Sequence, residues 1–170
     1  LAAQNLLVEA TDSADRFASL TYSQLASLAA EAADRWIAAG ALAEAFEPVT
    51  VQIADLPGSI VGQARGNLVV IDTNAAGCGW FVDQTPGDDD EFRQMNGQLV
   101  APPATAAASR IDLLSVLMHE FGHVLGLSHD DPHDVMAATL ATGVRRTVNT
   151  SAWPWDAQFV LASVVSRPLF

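Results

Sequence analysis

Residues 119–130 read HEFGHVLGLSHD and hold three of the four histidines in a chain of 170 residues. His119 and His123 lie four apart. On a helix that spacing sets two side chains one above the other on one face. Two imidazole nitrogens there can reach a single ion at about 2.0–2.1 Å. Glu120 is one step round from His119, badly placed to share the ion and well placed to reach a water bound to it. A third ligand has to come from outside the helix, because another turn would carry it past the ion. Gly126 allows a sharp turn, needing no side-chain clearance and tolerating positive φ. His129 then returns to the site. Three protein ligands leave one position open, the pattern of a catalytic rather than a structural zinc site. Zinc lowers the pKa of its water to about 7, and a carboxylate alongside can take that proton and pass it to a leaving amine. The five fixed positions of HExxHxxGxxH arise by chance in roughly one chain in 10⁵ of this length.

The helix that this reading needs is legible around the motif. Ser109 or Asp112 can cap it, Leu113, Leu114, Leu117, Phe121, Val124 and Leu125 give it an apolar face, and Gly126 ends it. Upstream, residues 23–39 are rich in helix formers, with Leu25, Leu28, Ala32, Trp36 and Ala39 at helical spacing and Gly40 as a stop. Val49, Val51 and Ile53 alternate with polar neighbours and predict a strand that turns at Pro57-Gly58. Further strands are expected over 60–64, 66–72 and 79–83. Residues 84–108, with their prolines and acidic run, read as loop. DAQFVLASVV, 156–165, predicts a final helix. The order implies an α/β (α+β) fold: a twisted mixed sheet with an N-terminal helix, the motif-bearing helix and a C-terminal helix. One domain over 1–170 is expected, with 1–20 as an N-terminal extension.

Half the residues are apolar and the net charge is −12. Such a surface repels phosphate backbones, so nucleic acid is not an expected partner. No apolar run is long enough to span a bilayer. The stretch from Leu1 has no basic segment followed by a long apolar one, so no signal peptide is expected in it, and a start without Met suggests a mature or excised form. The single cysteine, Cys78, lies between Gly77 and Gly79 and reads as a turn or strand-end residue.

HEFGHVLGLSHD resembles the extended zinc signature of the metzincin metallopeptidases. Met136, in Asp134-Val135-Met136 seven residues after His129, is similar to the methionine that the clan places in a tight turn beneath the metal. Within the clan HEFGHVLGLSH most resembles the matrixins, whereas Asp130 after the third histidine is similar to adamalysin-like enzymes. GNLVVID, GWFVD and DDDEF resemble the matrixin stretch in which the sheet's edge strand leads to calcium-binding acidic residues. WDAQFVLASV resembles the matrixin C-terminal helix, with Asp156 as an anchor for the methionine turn. The whole is also similar to metzincin-type segments of large secreted bacterial proteins. There are departures. No cysteine-switch propeptide motif is present, no histidine precedes His119, and Ala137 and Ala138 stand where some clan members carry a tyrosine.

The resemblance implies a zinc-dependent endopeptidase, secreted and monomeric, acting on extended polypeptides. His119, His123 and His129 would hold one Zn²⁺ and Glu120 would be the general base. Gly126, Met136 and Asp130 would support the site. Substrate would lie along an edge strand at 67–72, pairing through backbone hydrogen bonds. Asp83, Asp88, Asp89, Asp90 and Glu91 offer oxygen ligands of the kind Ca²⁺ takes, without EF-hand spacing. His133 reads as a solvated loop residue. Arg145 and Arg146 read as surface charge, with a contact to an acidic substrate side chain as the other reading. Two rival functions remain open: a self-processing module that cuts its own parent protein, and a zinc-bearing binding module without turnover.

Overall fold

The structure, a computed structural model, describes residues 3–8, 19–131 and 134–149. The expected helix over 156–165, with Asp156, and the loop residue His133 lie outside the described residues. In chain order the elements are strand β1 (Gln4–Val8), helix α1 (Tyr22–Ala38), and strands β2 (Thr50–Ala54), β3 (Ile60–Arg65), β4 (Leu68–Asp72), β5 (Trp80–Phe81), β6 (Arg93–Met95), β7 (Gln98–Val100) and β8 (Ile111–Asp112). Helix α2 (Leu113–Val124) and strands β9 (Thr139–Leu140) and β10 (Val144–Arg145) follow. Short 3-10 turns occupy Ala43–Ala45 and Asp134–Met136. The expected mixed α/β fold is the fold observed.

Helix α1 starts at a capping box. The Thr21 side chain accepts from the Gln24 N–H, and the Gln24 side chain accepts from the Thr21 N–H at 3.0 Å. Its apolar stripe, Leu25, Leu28, Ala32 and Trp36, is buried. Trp36 fixes it to α2, its indole N–H donating to the Met118 carbonyl at 2.8 Å. Helix α2 is capped by Asp112, not Ser109: the carboxylate accepts from the Ser115 N–H at 3.1 Å and from its hydroxyl at 2.6 Å. Leu113 to Gly122 are all buried, so α2 is enclosed on every side rather than one. It packs against α1 on one side and against β3 and β1 on the other.

The main sheet has the order β2-β4-β3-β1-β9. Strands β2 and β4 are parallel, β4 and β3 antiparallel across the turn at Gly66, and β3 and β1 antiparallel. Strands β1 and β9 are parallel. This corrects one reading. Strand β4, expected as the edge over 67–72, lies inside the sheet between β2 and β3. Gln4–Val8, within the stretch expected as an extension, is a strand of that sheet with partners on both sides. The expected strand over 79–83 shortens to Trp80–Phe81, which pairs in parallel with β8. The stretch read as loop contains the hairpin β6–β7, which turns on Asn96 and Gly97, both with positive φ (51° and 84°).

Candidate metal centre

His119 and His123 stand one turn apart on α2, and their Nε2 atoms are 2.9 Å from each other. The chain leaves the helix through Gly126, whose φ of 92° needs the freedom of glycine. The Gly126 N–H donates to the His123 carbonyl and the Leu127 N–H to the Gly122 carbonyl, each at 3.0 Å. That reversal brings back His129, whose Nε2 lies 3.2 Å from each of the other two. Four ligands in a tetrahedron about zinc would lie about 3.3 Å apart, given Zn–N bonds of about 2.0–2.1 Å. The three nitrogens already have nearly this spacing, so the residues present fit a zinc ion.

The far sides of two rings are pinned. His119 Nδ1 lies 2.8 Å from the Val135 carbonyl, and His123 Nδ1 lies 2.9 Å from the Leu127 carbonyl. A carbonyl can only accept, so each Nδ1 carries the proton and each Nε2 keeps its lone pair for the shared point. Without metal, burial pushes the His119 ring down to about 3, with the neighbouring His123 adding to the shift and the Val135 bond opposing it. Burial lowers His123 as well, opposed by the bond to Leu127. The pair is held in the neutral form that metal ligation requires.

Glu120 is fully buried, and neither of its side-chain oxygens has a hydrogen-bond partner among the described residues. Burial raises its carboxyl well above the usual carboxylate range, against a smaller lowering by the Leu6 backbone. Its place exists because residue 62 is glycine: a Cβ there would sit 2.5 Å from Glu120 Oε1 and 2.9 Å from Val116 Cγ1. A second close approach lies under the histidines. Any Cβ at Gly122 would run into the sulfur of Met136, and would come within 3.2 Å of the Trp36 ring. Met136 is fully buried, one residue after the Val135 carbonyl that holds His119.

A family model described as Matrixin matches residues 23–152, most of the chain and all of the site just described. The chain belongs to the matrixin family. Neither a curated protein nor a solved structure matches it. Membership places the chain among zinc-dependent metallopeptidases, whose substrates are polypeptides. Among the described residues, no helix of this matrixin is long and apolar enough to cross a membrane.

Three other expectations are met differently in the matrixin structure. The loop carrying His129 is braced by Asp131, whose carboxylate accepts from the Ser128 N–H at 2.6 Å; Asp130 is exposed, and its backbone N–H donates to the Ser128 hydroxyl. Arg145 is not surface charge. It is buried and donates to Asp83 at 2.7 Å, to Asp112 at 2.9 and 3.1 Å and to Asp89 at 3.1 Å, over the face of Phe92. Burial works against its charge, but Asp112 and Asp83 outweigh it and raise its pKa. Of the acidic side chains offered to Ca²⁺, those of Asp83 and Asp89 are drawn onto guanidinium groups. Asp89 also accepts from Arg35 at 3.0 Å, Arg145 takes the Asp88 carbonyl at 3.2 Å, and Glu91 accepts from Thr85 at 3.0 Å. Asp90 meets Asp88 through its own N–H. Arg146 lies beside the 3-10 turn Asp134–Met136 and donates to the Asp134 carbonyl at 2.8 Å.

Gly62, Gly122 and Asp131 were not singled out by sequence, and Arg145 was read there as surface charge. Only Gly122 left a signal. A glycine inside a strong helix costs about 1 kcal/mol relative to alanine, so one there points to a close neighbour.

Proposed function

We propose that this matrixin is a zinc-dependent endopeptidase in which His119, His123 and His129 hold the metal and Glu120 is the general base. The convergence of three Nε2 atoms to within 3.2 Å, with Nδ1 of His119 and His123 bound to carbonyls, carries this reading. When bound, zinc would polarise the scissile carbonyl and acidify a water. Glu120 takes a proton from the water and gives it to the departing amine nitrogen. Its dry surroundings raise its affinity for that proton and ease the hand-over from water. The Val135 and Leu127 carbonyls keep two rings aimed at the ion through the reaction. Met136 and Gly122 form a tight floor under α2, Gly126 makes the reversal, and the Asp131 brace with Asp130 beside it sets the position of His129. Arg145 supplies the positive charge for which Ca²⁺ was a candidate. The enzyme acts outside the cell on extended polypeptide.

The test pairs metal analysis with a peptide-library digest. Glu120→Gln is expected to keep one zinc per chain and lose hydrolysis by about 10²-fold or more. His129→Ala is expected to lose both. Hydrolysis by Glu120→Gln at the parent rate sinks the proposed base. Full zinc retention by His129→Ala sinks the ligand set.

A further inference from the structure

Strand β1 is held between two walls of the metal centre. On one side it runs antiparallel to β3, with the Val8 N–H donating to the Ser59 carbonyl at 2.9 Å and Gln63 donating to the Asn5 side chain at 2.6 Å. On the other it runs parallel to β9, with the Leu7 N–H donating to the Ala138 carbonyl at 3.1 Å. Ala138 is two residues beyond Met136. Without β1, the outer edge of β3 would face the segment after the methionine turn across an open slot one strand wide. An extended peptide fills such a slot by adding main-chain hydrogen bonds on both sides. Gln4–Val8 also lies outside the residues that the family match covers.

The register places one bond of β1 at the catalytic carboxylate. Leu6 pairs with Gly62, the residue against which Glu120 is packed. The backbone N–H of Leu6 faces the Glu120 carboxyl, without a hydrogen bond of good geometry. In the proposed reaction the atom that must face Glu120 is the nitrogen of the bond being cut, and this nitrogen belongs to the Asn5–Leu6 peptide. The Leu6 side chain is 2 % exposed and sits in the main core, so the position just after that bond is apolar and enclosed. Between Leu6 and Leu7 the pairing with β3 slips by a residue. Bulges of this kind re-aim the backbone next to active sites.

We propose that Gln4–Val8 occupies the substrate slot, antiparallel to β3 and parallel to β9, and that Asn5–Leu6 is a bond this chain cuts in itself. The inference rests on the peptidase reading above and names one substrate for it. Water adds to the carbonyl carbon of Asn5, forming a C–O bond, and the C–N bond to Leu6 breaks. The water proton passes through Glu120 to the Leu6 nitrogen. The products are a carboxylate at Asn5 and an amine at Leu6. Until that cut is made, β1 shuts other polypeptides out of the slot.

The test uses the full chain, prepared metal-free and then given zinc. Mass and amino-terminal analysis are expected to find a new terminus at Leu6, formed at a rate per molecule that dilution leaves unchanged and missing in Glu120→Gln. A rate that rises with protein concentration means cutting between copies and overturns the assignment. A peptide library in the same tube separates the two readings. Library cleavage without a cut at Asn5–Leu6 overturns this inference and leaves the enzyme standing, whereas folded, zinc-loaded protein that cuts neither overturns both. Occupancy has a readout that needs no turnover. A labelled peptide of residues 3–9 is expected to bind Glu120→Gln/Leu6→Asp about tenfold or more tightly than Glu120→Gln, because the tethered segment otherwise competes at roughly millimolar effective concentration. Equal binding by the two folded proteins overturns the inference. Should Leu6→Asp not fold, the Asn5–Leu6 cut still decides it.

Discussion

At Gly122 one hydrogen atom separates α2 from the sulfur of Met136. Its neighbour in sequence, His123, and the ring of His119 one turn back depend on that helix keeping its place. Gly122→Ala forces the methionine side chain or the helix to move, at a cost of about 1–3 kcal/mol. The helix propensity gained, about 1 kcal/mol, offsets only part of it. Thermal melting of the zinc-free variant is expected to fall below that of the parent; an unchanged or raised melting temperature would show that the floor has slack. A second prediction concerns protons. Unfolded, His119 takes a proton near 6.5; folded and metal-free, it resists until about 3. Between those values the unfolded chain holds the extra proton, so acidification from pH 6.5 toward 3 drives unfolding, and His123 acts in the same sense. Glu120 runs the other way. Its folded carboxyl holds a proton well above 4.5, so rising pH favours the unfolded chain, in which it ionises freely. Metal-free Glu120→Gln should therefore gain stability relative to the parent as pH rises above 4.5. Denaturant titrations at pH 5 and pH 8 measure it, and a gap that shrinks toward pH 8 contradicts the burial of Glu120.

Among the elements, those built from local signals were the legible ones. Helix α1 carries its own cap, stripe and stop, and its expected and observed limits differ by one residue. The histidine motif is as local: eleven residues with a glycine at the turn bring all three rings together, so the site could be read without the sheet. The hairpin β6–β7 was missed although Asn96-Gly97 is a strong hairpin signal, because its strands are three residues each and β6 is exposed, leaving no apolar alternation to read. Strand β1 was missed for another reason. Its apolar run is three residues, Leu6 to Val8, and its partners are more than fifty residues away. The edge was misplaced because sheet order is a non-local property. The Arg145 cluster is equally non-local, joining four segments through Asp83, Asp88, Asp89 and Asp112. Arg145→Met leaves Asp83 and Asp112 buried without a counter-charge, which costs about 3–5 kcal/mol. Urea unfolding should show that loss. A loss below about 1 kcal/mol would mean that solvent reaches those carboxylates.

For the whole molecule, the layers of the fold converge on the histidine cluster. Helix α1 backs α2, α2 presents two histidines, and the turn after it returns the third. Strand β3 makes room for Glu120 through Gly62, and the turn at Asp134–Met136 packs Met136 under Gly122 and leads into β9. The net charge of −12 belongs to this scale too: it is what remains after eight basic residues are set against twenty acidic ones, and two of the eight, Arg145 and Arg35, meet Asp83, Asp112 and Asp89. All of this surrounds the proposed metal centre, in which three histidines would be the protein ligands. X-ray absorption at the zinc edge of the loaded protein reads that number directly. The account predicts three imidazole nitrogens at about 2.0–2.1 Å and one further light atom that is not a protein side chain. A sulfur neighbour, a fourth imidazole, or protein that holds no zinc at all would contradict it.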